Sequence, residues 1–148
     1  MRVIVDENIV FSAILNTEGK IGDLLINSEK FFIFIAPDFL KSEIRHHYSR
    51  LVKISRMTLG EVQESESQVC KSIKFISPEQ ILSTHWTSAE NLVKDIDPKD
   101  IQYVAYSKHF HCRLWSGDKV LAKGLAVKDF KNIITTDELF KLRQGLQK

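Results

Sequence analysis

The feature of this sequence that most restricts its fold is a series of short, continuously apolar stretches separated by helical patterns. The stretches are "RVIVD" at 2–6, "FFIFIA" at 31–36, "CRLWS" at 112–116, "NIITT" at 132–136 and, more weakly, "IKFIS" at 73–77. Strands that are apolar on both faces and alternate with helices are typical of a parallel sheet covered on both sides. The sequence therefore predicts an α/β fold, with three α/β/α layers around a central, mainly parallel sheet.

Length and composition are those of one globular domain. The chain has 148 residues, of which 43% are hydrophobic and 27% are charged, which is enough for a core without disulfides or metals. No apolar run approaches the roughly 20 residues that cross a bilayer, and the first ten residues are too acidic for a signal peptide. Cys70 and Cys112 lack metal-site spacing and are expected to be free. We therefore expect a single cytoplasmic domain over residues 1–148, without a membrane partner.

Sequence signals typical of helix N-termini predict where helices begin between the apolar stretches. A helix is expected after Pro37 and should run to about Ile54. A threonine followed three residues later by a glutamate is typical of a capping box, and this pattern predicts helices that start at Thr58 and Thr135. Residues 77–90 give no clear pattern.

Four acidic residues fall where open α/β sheets have their chemistry, beyond the carboxyl ends of the strands. Asp6 and Asp118 follow predicted strands, Glu43 lies at the inward stripe of the helix after Pro37, and Asp100 borders the buried face of a helix predicted to begin at Pro98. Carboxylates that cluster repel one another unless cations intervene. Oxygen ligands without His or Cys at metal spacing favour Mg²⁺ or Mn²⁺.

Each acid also has a purely structural interpretation. Asp6 and Asp118 can act as helix N-caps, and Glu43 can pair with a nearby Arg or Lys. Asp97 is fully explained as the cap before Pro98. The single residues therefore leave both interpretations open, and only the set of four favours a metal cluster.

The order of these motifs resembles that of the PIN-domain nucleases. "VIVDENIVFSAI" is similar to the opening of that family, "APDFLKSEI" to its second motif, "DIDPKDIQYVAYS" to its third and "LWSGDKVL" to its fourth. The resemblance extends from Val3 to about Leu139. Two residues depart from the family pattern: Glu7 adds an acid beside Asp6, and Tyr106 makes the helix of the third motif bulkier.

The resemblance implies a PIN-like fold and a Mg²⁺- or Mn²⁺-dependent endoribonuclease, often the toxin of a toxin–antitoxin pair. It also implies RNA as the substrate, a small antitoxin protein as a partner, and a homodimer. The residues that would bind metal and act in catalysis are Asp6, Glu43, Asp100 and Asp118. The residues that would support them are Asn8, Ser116 and Asp97.

Basic residues crowd the two helices that carry or follow these acids. The candidates for RNA binding are Lys41, Arg45, Arg50 and Lys119. A basic rim beside an acidic pocket suits single-stranded RNA, although a solvated helix face is the more common explanation for any one of these residues alone. His46 and His47 are interpreted as surface or packing residues rather than metal ligands, because no third His or Cys lies at ligand spacing.

Other classes of protein fit the same strand pattern. A non-catalytic PIN-like module that binds RNA or a partner protein is the main alternative. A phospho-receiver domain would need an acid after a middle strand, but "FFIFIA" is followed by proline, which disfavours this class. A phosphatase of the haloacid dehalogenase type would need an Asp where Asn8 stands, which disfavours it further.

Overall fold

A single parallel sheet forms the centre of the protein. The computed structural model describes residues 1–147, and within them five strands lie in the order β3-β2-β1-β4-β5 with every pairing parallel. The strands are β1 (Arg2–Val5), β2 (Ile33–Pro37), β3 (Ile73–Ile76), β4 (Arg113–Trp115) and β5 (Ile133–Ile134). Because all strands run the same way, their carboxyl ends meet at one edge of the sheet.

Helices cover both faces of this sheet. They are α1 (Glu7–Leu15), α2 (Lys20–Asn27), α3 (Phe39–His46), α4 (Tyr48–Ser55), α5 (Leu59–Cys70), α6 (Ser83–Val93), α7 (Ile101–Phe110), α8 (Lys119–Val127) and α9 (Thr136–Leu146), with 3₁₀ turns at Pro78–Gln80 and Pro98–Asp100. No helix formed by residues 1–147 is long and apolar enough to cross a membrane.

Successive residues of the central strand point to two separate cores, as the pleat of a strand requires. Val3 and Val5 pack into a cluster with residues of α1 to α5 and α9, whereas Ile4 packs into a second cluster with residues of α6, α7 and α8. The predicted three-layer α/β/α architecture is therefore confirmed.

The predicted capping boxes are confirmed. The Thr58 hydroxyl accepts a hydrogen bond from the Glu61 N–H at 3.2 Å, and the Glu61 carboxylate accepts one from the Thr58 N–H at 3.0 Å. Thr135 and Glu138 make the same pair of bonds at the start of α9. Cys70 and Cys112 are free, as expected.

The prediction of one helix from Pro37 to about Ile54 is wrong. The segment forms α3 and α4, which break at His47, where φ is −102° and ψ is 11°. No proline or glycine marks this break. It allows α4 to pack against α1 and α5, and it leaves Ile54, near the end of α4, 56% exposed. Tertiary packing decides the break, and no local signal announces it.

The helix predicted to begin at Pro98 begins three residues later, at Ile101. Pro98–Asp100 forms a 3₁₀ turn, and the α-helix begins only at Ile101. Asp97 caps this turn by accepting a hydrogen bond from the Lys99 N–H at 3.0 Å, as the sequence predicts.

Candidate metal centre

Asp6 lies directly after the central strand and begins α1. Its Oδ1 accepts a hydrogen bond from the Ile9 N–H at 2.9 Å, so Asp6 is the N-cap of α1. The residue is only 6% exposed. Burial raises the pKa of its carboxyl, and the charge of Asp118 raises it further, while the Ser116 hydroxyl and the N–H groups of α1 lower it. Asp6 is therefore both a helix cap and a buried acid.

Asp118 follows β4, the strand that pairs with β1. Its Oδ1 accepts a hydrogen bond from the Leu121 N–H at 3.0 Å, and this bond caps α8. Its own N–H donates to the Oγ of the buried Ser116 at 3.1 Å. The neighbouring strand ends thus bring Asp6, Ser116 and Asp118 together, as the strand-end rule predicts.

Asp100 joins this group from the 3₁₀ turn before α7. Its Oδ2 is buried and has no hydrogen-bond partner within residues 1–147. Burial raises the pKa of Asp100 to about 7, together with the negative charges of Asp97, Asp118, Asp6 and Glu7. The structure therefore brings three of the four predicted acids into one electrostatic environment.

Glu43 lies with a different set of residues. Glu7, Glu43 and His47 each offer one ligand atom, and these atoms all lie within 4.8 Å of one another. His47 Nε2 is 3.7 Å from Glu43 Oε2. Burial raises the pKa of Glu7, and the charge of Glu43 is the next largest cause.

Tyr103 is a buried tyrosine close to both sets. Its hydroxyl is buried, with the residue 2% exposed, and it finds no hydrogen-bond partner in the described part of the chain. Burial raises the pKa of Tyr103, and the negative charges of Glu7, Asp6, Asp100 and Glu43 raise it further. The charges of both sets therefore act on this hydroxyl.

Comparison with known proteins identifies the family of this chain. A family model described as the PIN domain matches residues 4–139. This chain belongs to the PIN domain family. PIN domains are generally nucleases and generally use divalent metals.

The fold of this PIN domain matches that of a solved structure. It resembles a chain in the crystal structure of VapBC2 from Rickettsia felis bound to a DNA fragment from their promoter, with a TM-score of 0.66 and 13% identity. The match covers 91% of this chain and 97% of the other. A comparison with curated proteins finds no match.

The carboxylates of the PIN domain fit a divalent cation. Burial and mutual repulsion raise the pKa of Asp6, Glu7 and Asp100, and a cation among them would remove that repulsion. Asp100 Oδ2 is buried and has no hydrogen-bond partner within residues 1–147. Such an ion would satisfy this oxygen.

The other predicted site residues lie around these acids at different positions. Asn8 and Arg50 line a groove between α1 and α4, next to Glu7 and His47. Lys119 lies beside Asp118 in a depression that Thr135 and Asp137 also line. Lys41 packs over the Phe75 ring at 4.6 Å, and Arg45 is exposed on α3. Arg50 and Lys119 are thus the predicted basic residues that line grooves beside the acids.

Sequence reasoning missed Glu7, His47 and Tyr103 as members of the site. Glu7 was visible only as an acid next to Asp6, and His47 only as a histidine four residues after Glu43. Tyr103 lies three residues after Asp100, on the same face of α7. These spacings are the signals that could have found them.

Proposed function

We propose that this PIN domain is a Mg²⁺- or Mn²⁺-dependent endoribonuclease and the toxin of a toxin–antitoxin pair. The observation that carries the proposal is the convergence of Asp6, Asp100 and Asp118, with Asp100 Oδ2 buried and lacking a partner within the described residues. Asp6 and Asp118 would approach one another even as simple caps, because β1 and β4 are neighbours, but Asp100 comes from a separate turn and its side chain makes no cap bond.

The cap bonds would prepare the acids for a metal ion. In Asp6 and Asp118, Oδ1 is held by the N-terminus of the following helix, so the second oxygen of each carboxylate has a fixed direction. Asp100 and Glu43 would complete the ligands, while Ser116, Asn8 and Asp97 would orient them. The ion, when bound, would lower the pKa of a water molecule and stabilise negative charge on the phosphate.

RNA must be attracted by groups outside the acidic centre, which repels phosphate. Arg50 and Lys119 line grooves on two sides of that centre, and Lys41 and Arg45 extend the positive charge along α3. Such contacts with the backbone would make binding weaken as salt rises. They suit a single strand, whose phosphates can follow a curved path between the grooves.

A small antitoxin protein is proposed as the partner. The support is the similarity of fold to a chain from the VapBC2 complex of Rickettsia felis. A small open reading frame beside the gene would supply the protein with which to test the interaction. Co-purification of the two products is the expected result, and a homodimer would be detected by the mass of the complex in solution.

A melting experiment tests the metal centre. Mg²⁺ should raise the melting temperature of the wild type, because a ligand that binds only the folded state stabilises it. In Asp6→Asn this rise should be lost. Asparagine is a good N-cap and removes a repelling charge, so the metal-free variant should be at least as stable as the wild type.

The control is Asp129→Asn, which changes an exposed Asp that lies outside both groups of site residues and has a φ of 64°. It should respond to Mg²⁺ like the wild type. An Asp6→Asn protein that is destabilised without metal and still responds to Mg²⁺ would reduce Asp6 to a helix cap. Metal binding without cleavage of single-stranded RNA would favour the non-catalytic module.

A further inference from the structure

The acids at the carboxyl edge fall into two sets with different chemistry. The first, which we call the oxygen site, consists of Asp6, Asp100 and Asp118. The second, which we call the mixed site, consists of Glu7, Glu43 and His47. We propose that the mixed site binds a metal ion of its own, and that its imidazole nitrogen makes it select Mn²⁺ or another first-row transition ion over Mg²⁺. The proposal rests on the proposed function in one respect: Glu43, which belongs to the mixed site, is also named there as a ligand beside Asp6, Asp100 and Asp118.

The distances between the candidate ligand atoms of the mixed site are close to those found around one bound metal ion. Ligands bound at about 2.1 Å to one octahedral ion lie about 3 to 4.2 Å apart. The separation of 3.7 Å between His47 Nε2 and Glu43 Oε2 falls in that interval. The limit of 4.8 Å for the whole set exceeds the upper end of that interval by about 0.6 Å, which a rotation of the partly exposed Glu7 side chain can close.

The His47 side chain is held in place by its surroundings. The residue lies at the junction of α3 and α4, where its N–H bonds to the carbonyls of Glu43 and Ile44 at 3.2 and 3.1 Å. Its ring packs edge-on against Phe11, with the centroids 5.4 Å apart. The break between the helices thus fixes an imidazole beside two carboxylates, and binding would cost little side-chain entropy.

Tyr103 is an independent observation that points to a ligand at this place. Tyr103 is 2% exposed, and its buried hydroxyl makes no hydrogen bond within residues 1–147. Among the charges around it, that of Glu7 has the largest effect. A buried hydroxyl without a partner costs about 1–3 kcal/mol. A metal-bound water between Tyr103 and Glu7 would satisfy it.

A simple helix-surface ion pair does not explain the mixed site. Glu43 and His47 are four residues apart, and such a pair is ordinary on a helix, where it contributes about 0.2–0.5 kcal/mol. Glu7, however, comes from α1, and a second carboxylate beside the first is unfavourable without a cation. The three residues together are therefore better explained by a metal ion than by a pair.

The imidazole decides which ion the mixed site takes. Mg²⁺ prefers oxygen ligands and gives up its water reluctantly, whereas imidazole nitrogen suits transition ions. The oxygen site has carboxylates only and should accept Mg²⁺ and Mn²⁺ alike. The protein should therefore bind two Mn²⁺ ions, one of them with a nitrogen ligand.

The test compares His47→Gln with His46→Gln in protein without an affinity tag. His46 is the adjacent, exposed histidine outside the mixed site, so its variant is a matched control. Pulsed electron paramagnetic resonance of the Mn²⁺-loaded protein, at about pH 7.5 where free imidazole is mostly neutral, detects a coordinated nitrogen directly. Nitrogen modulation should be present in the wild type and His46→Gln and absent in His47→Gln.

Calorimetry supplies the second readout. Loss of an outer-shell partner of a metal ligand already weakens binding about 10–100-fold, so loss of His47 itself should weaken one Mn²⁺ site at least about tenfold. Mg²⁺ binding should not change. Unchanged Mn²⁺ affinity in His47→Gln, or a wild type without nitrogen modulation, would overturn the proposal.

The same proteins separate this proposal from the proposed function. Asp100→Asn removes a ligand of the oxygen site and should leave the nitrogen modulation intact. If His47→Gln has no effect while Asp6→Asn abolishes RNA cleavage, the mixed site is wrong and the nuclease stands. If nitrogen modulation is observed but RNA is not cleaved, the mixed site stands and the nuclease is wrong.

Discussion

Asp100 is the residue at which folding and the proposed function oppose each other most directly. It is half-buried, its Oδ2 lacks a partner within residues 1–147, and the charges of Asp97, Asp118, Asp6 and Glu7 act against its ionised form. A protein that folds without metal must either tolerate this charge or keep a proton on it. The stability of the metal-free protein should therefore depend on the protonation of this one carboxyl.

Asp100→Asn should change how the stability of the metal-free protein depends on pH. The pKa of Asp100 is about 7 in the folded protein, against an ordinary value of 3.8. A raised pKa means that the folded state binds the proton more tightly than the unfolded state. Its contribution to stability is therefore complete below about pH 4 and is lost as pH rises through about 7.

In EDTA, the melting temperature of the wild type should rise relative to that of Asp100→Asn as pH falls from about 8 to 5. The Asp129→Asn control should follow the wild type across this range, because that exposed residue belongs to neither site. Parallel curves for the wild type and Asp100→Asn would show that Asp100 titrates normally.

At the scale of elements, the approach of α2 to the turn before it depends on one glycine. A Cβ on Gly22 would lie 2.5 Å from the Thr17 carbonyl oxygen and 2.7 Å from that of Asn16. Both atoms belong to the backbone and cannot move aside as a side chain does. In α9, by contrast, a Cβ on Gly145 would meet nothing within 4 Å.

Gly22→Ala and Gly145→Ala should therefore have opposite effects. Alanine favours a helix over glycine by about 1 kcal/mol, but the clash at Gly22 should outweigh this and destabilise the protein by about 1–3 kcal/mol. Gly145→Ala should be neutral or stabilise it by up to about 1 kcal/mol. Urea unfolding of the two variants measures both changes, and a stabilised Gly22→Ala protein would contradict the close approach.

The elements that the sequence predicts well are those with local causes. The strands β1, β2 and β4 are short apolar runs, and the starts of α5 and α9 follow from the bonds within each capping box. The break at His47 has no such cause, since it follows from the packing of α4. The helix α6 lies partly in a segment of Ser and Thr residues with weak periodicity, so its contacts with α7 and α8 define it.

The candidate site likewise has residues that the sequence predicts and residues that it does not. Asp6 and Asp118 could be found because each ends a strand, and parallel strands must end at a common edge. The proximity of Glu7 to His47 could not be found, because it depends on where the α3–α4 junction lies against α1. That junction is itself a product of tertiary packing, so its chemistry appears only in the folded chain.

At the scale of the whole molecule, α9 joins the site edge to an early part of the chain. At its start, Thr136 Oγ1 accepts a hydrogen bond at 3.0 Å from Nε1 of Trp115, the last residue of β4. Near its end, the buried Arg143 pairs with Asp23 of α2 at 2.6 Å and donates to Ser28 Oγ at 3.0 Å. The last helix therefore holds α2 against the same face of the sheet that α1 covers.

Removing this connection should destabilise the molecule without changing its metal response. Arg143→Ala removes the donor to the buried Ser28 Oγ and to Asp23 Oδ2, while Asn27 still donates to Asp23 Oδ1, and it should cost about 2–4 kcal/mol in urea unfolding. Lys20→Ala, which removes the exposed pair with Asp137 and the contact of the ammonium with the Phe140 ring, should cost about 1 kcal/mol.

Arg143 lowers the pKa of Asp23 through their hydrogen bond, so the stability that this bond contributes is present above the ordinary pKa of 3.8 and is lost as pH falls through the lower folded value. The difference between wild type and Arg143→Ala should accordingly narrow below about pH 4. Equal losses in the two variants, or a difference independent of pH, would mean that α9 is held by its apolar face alone.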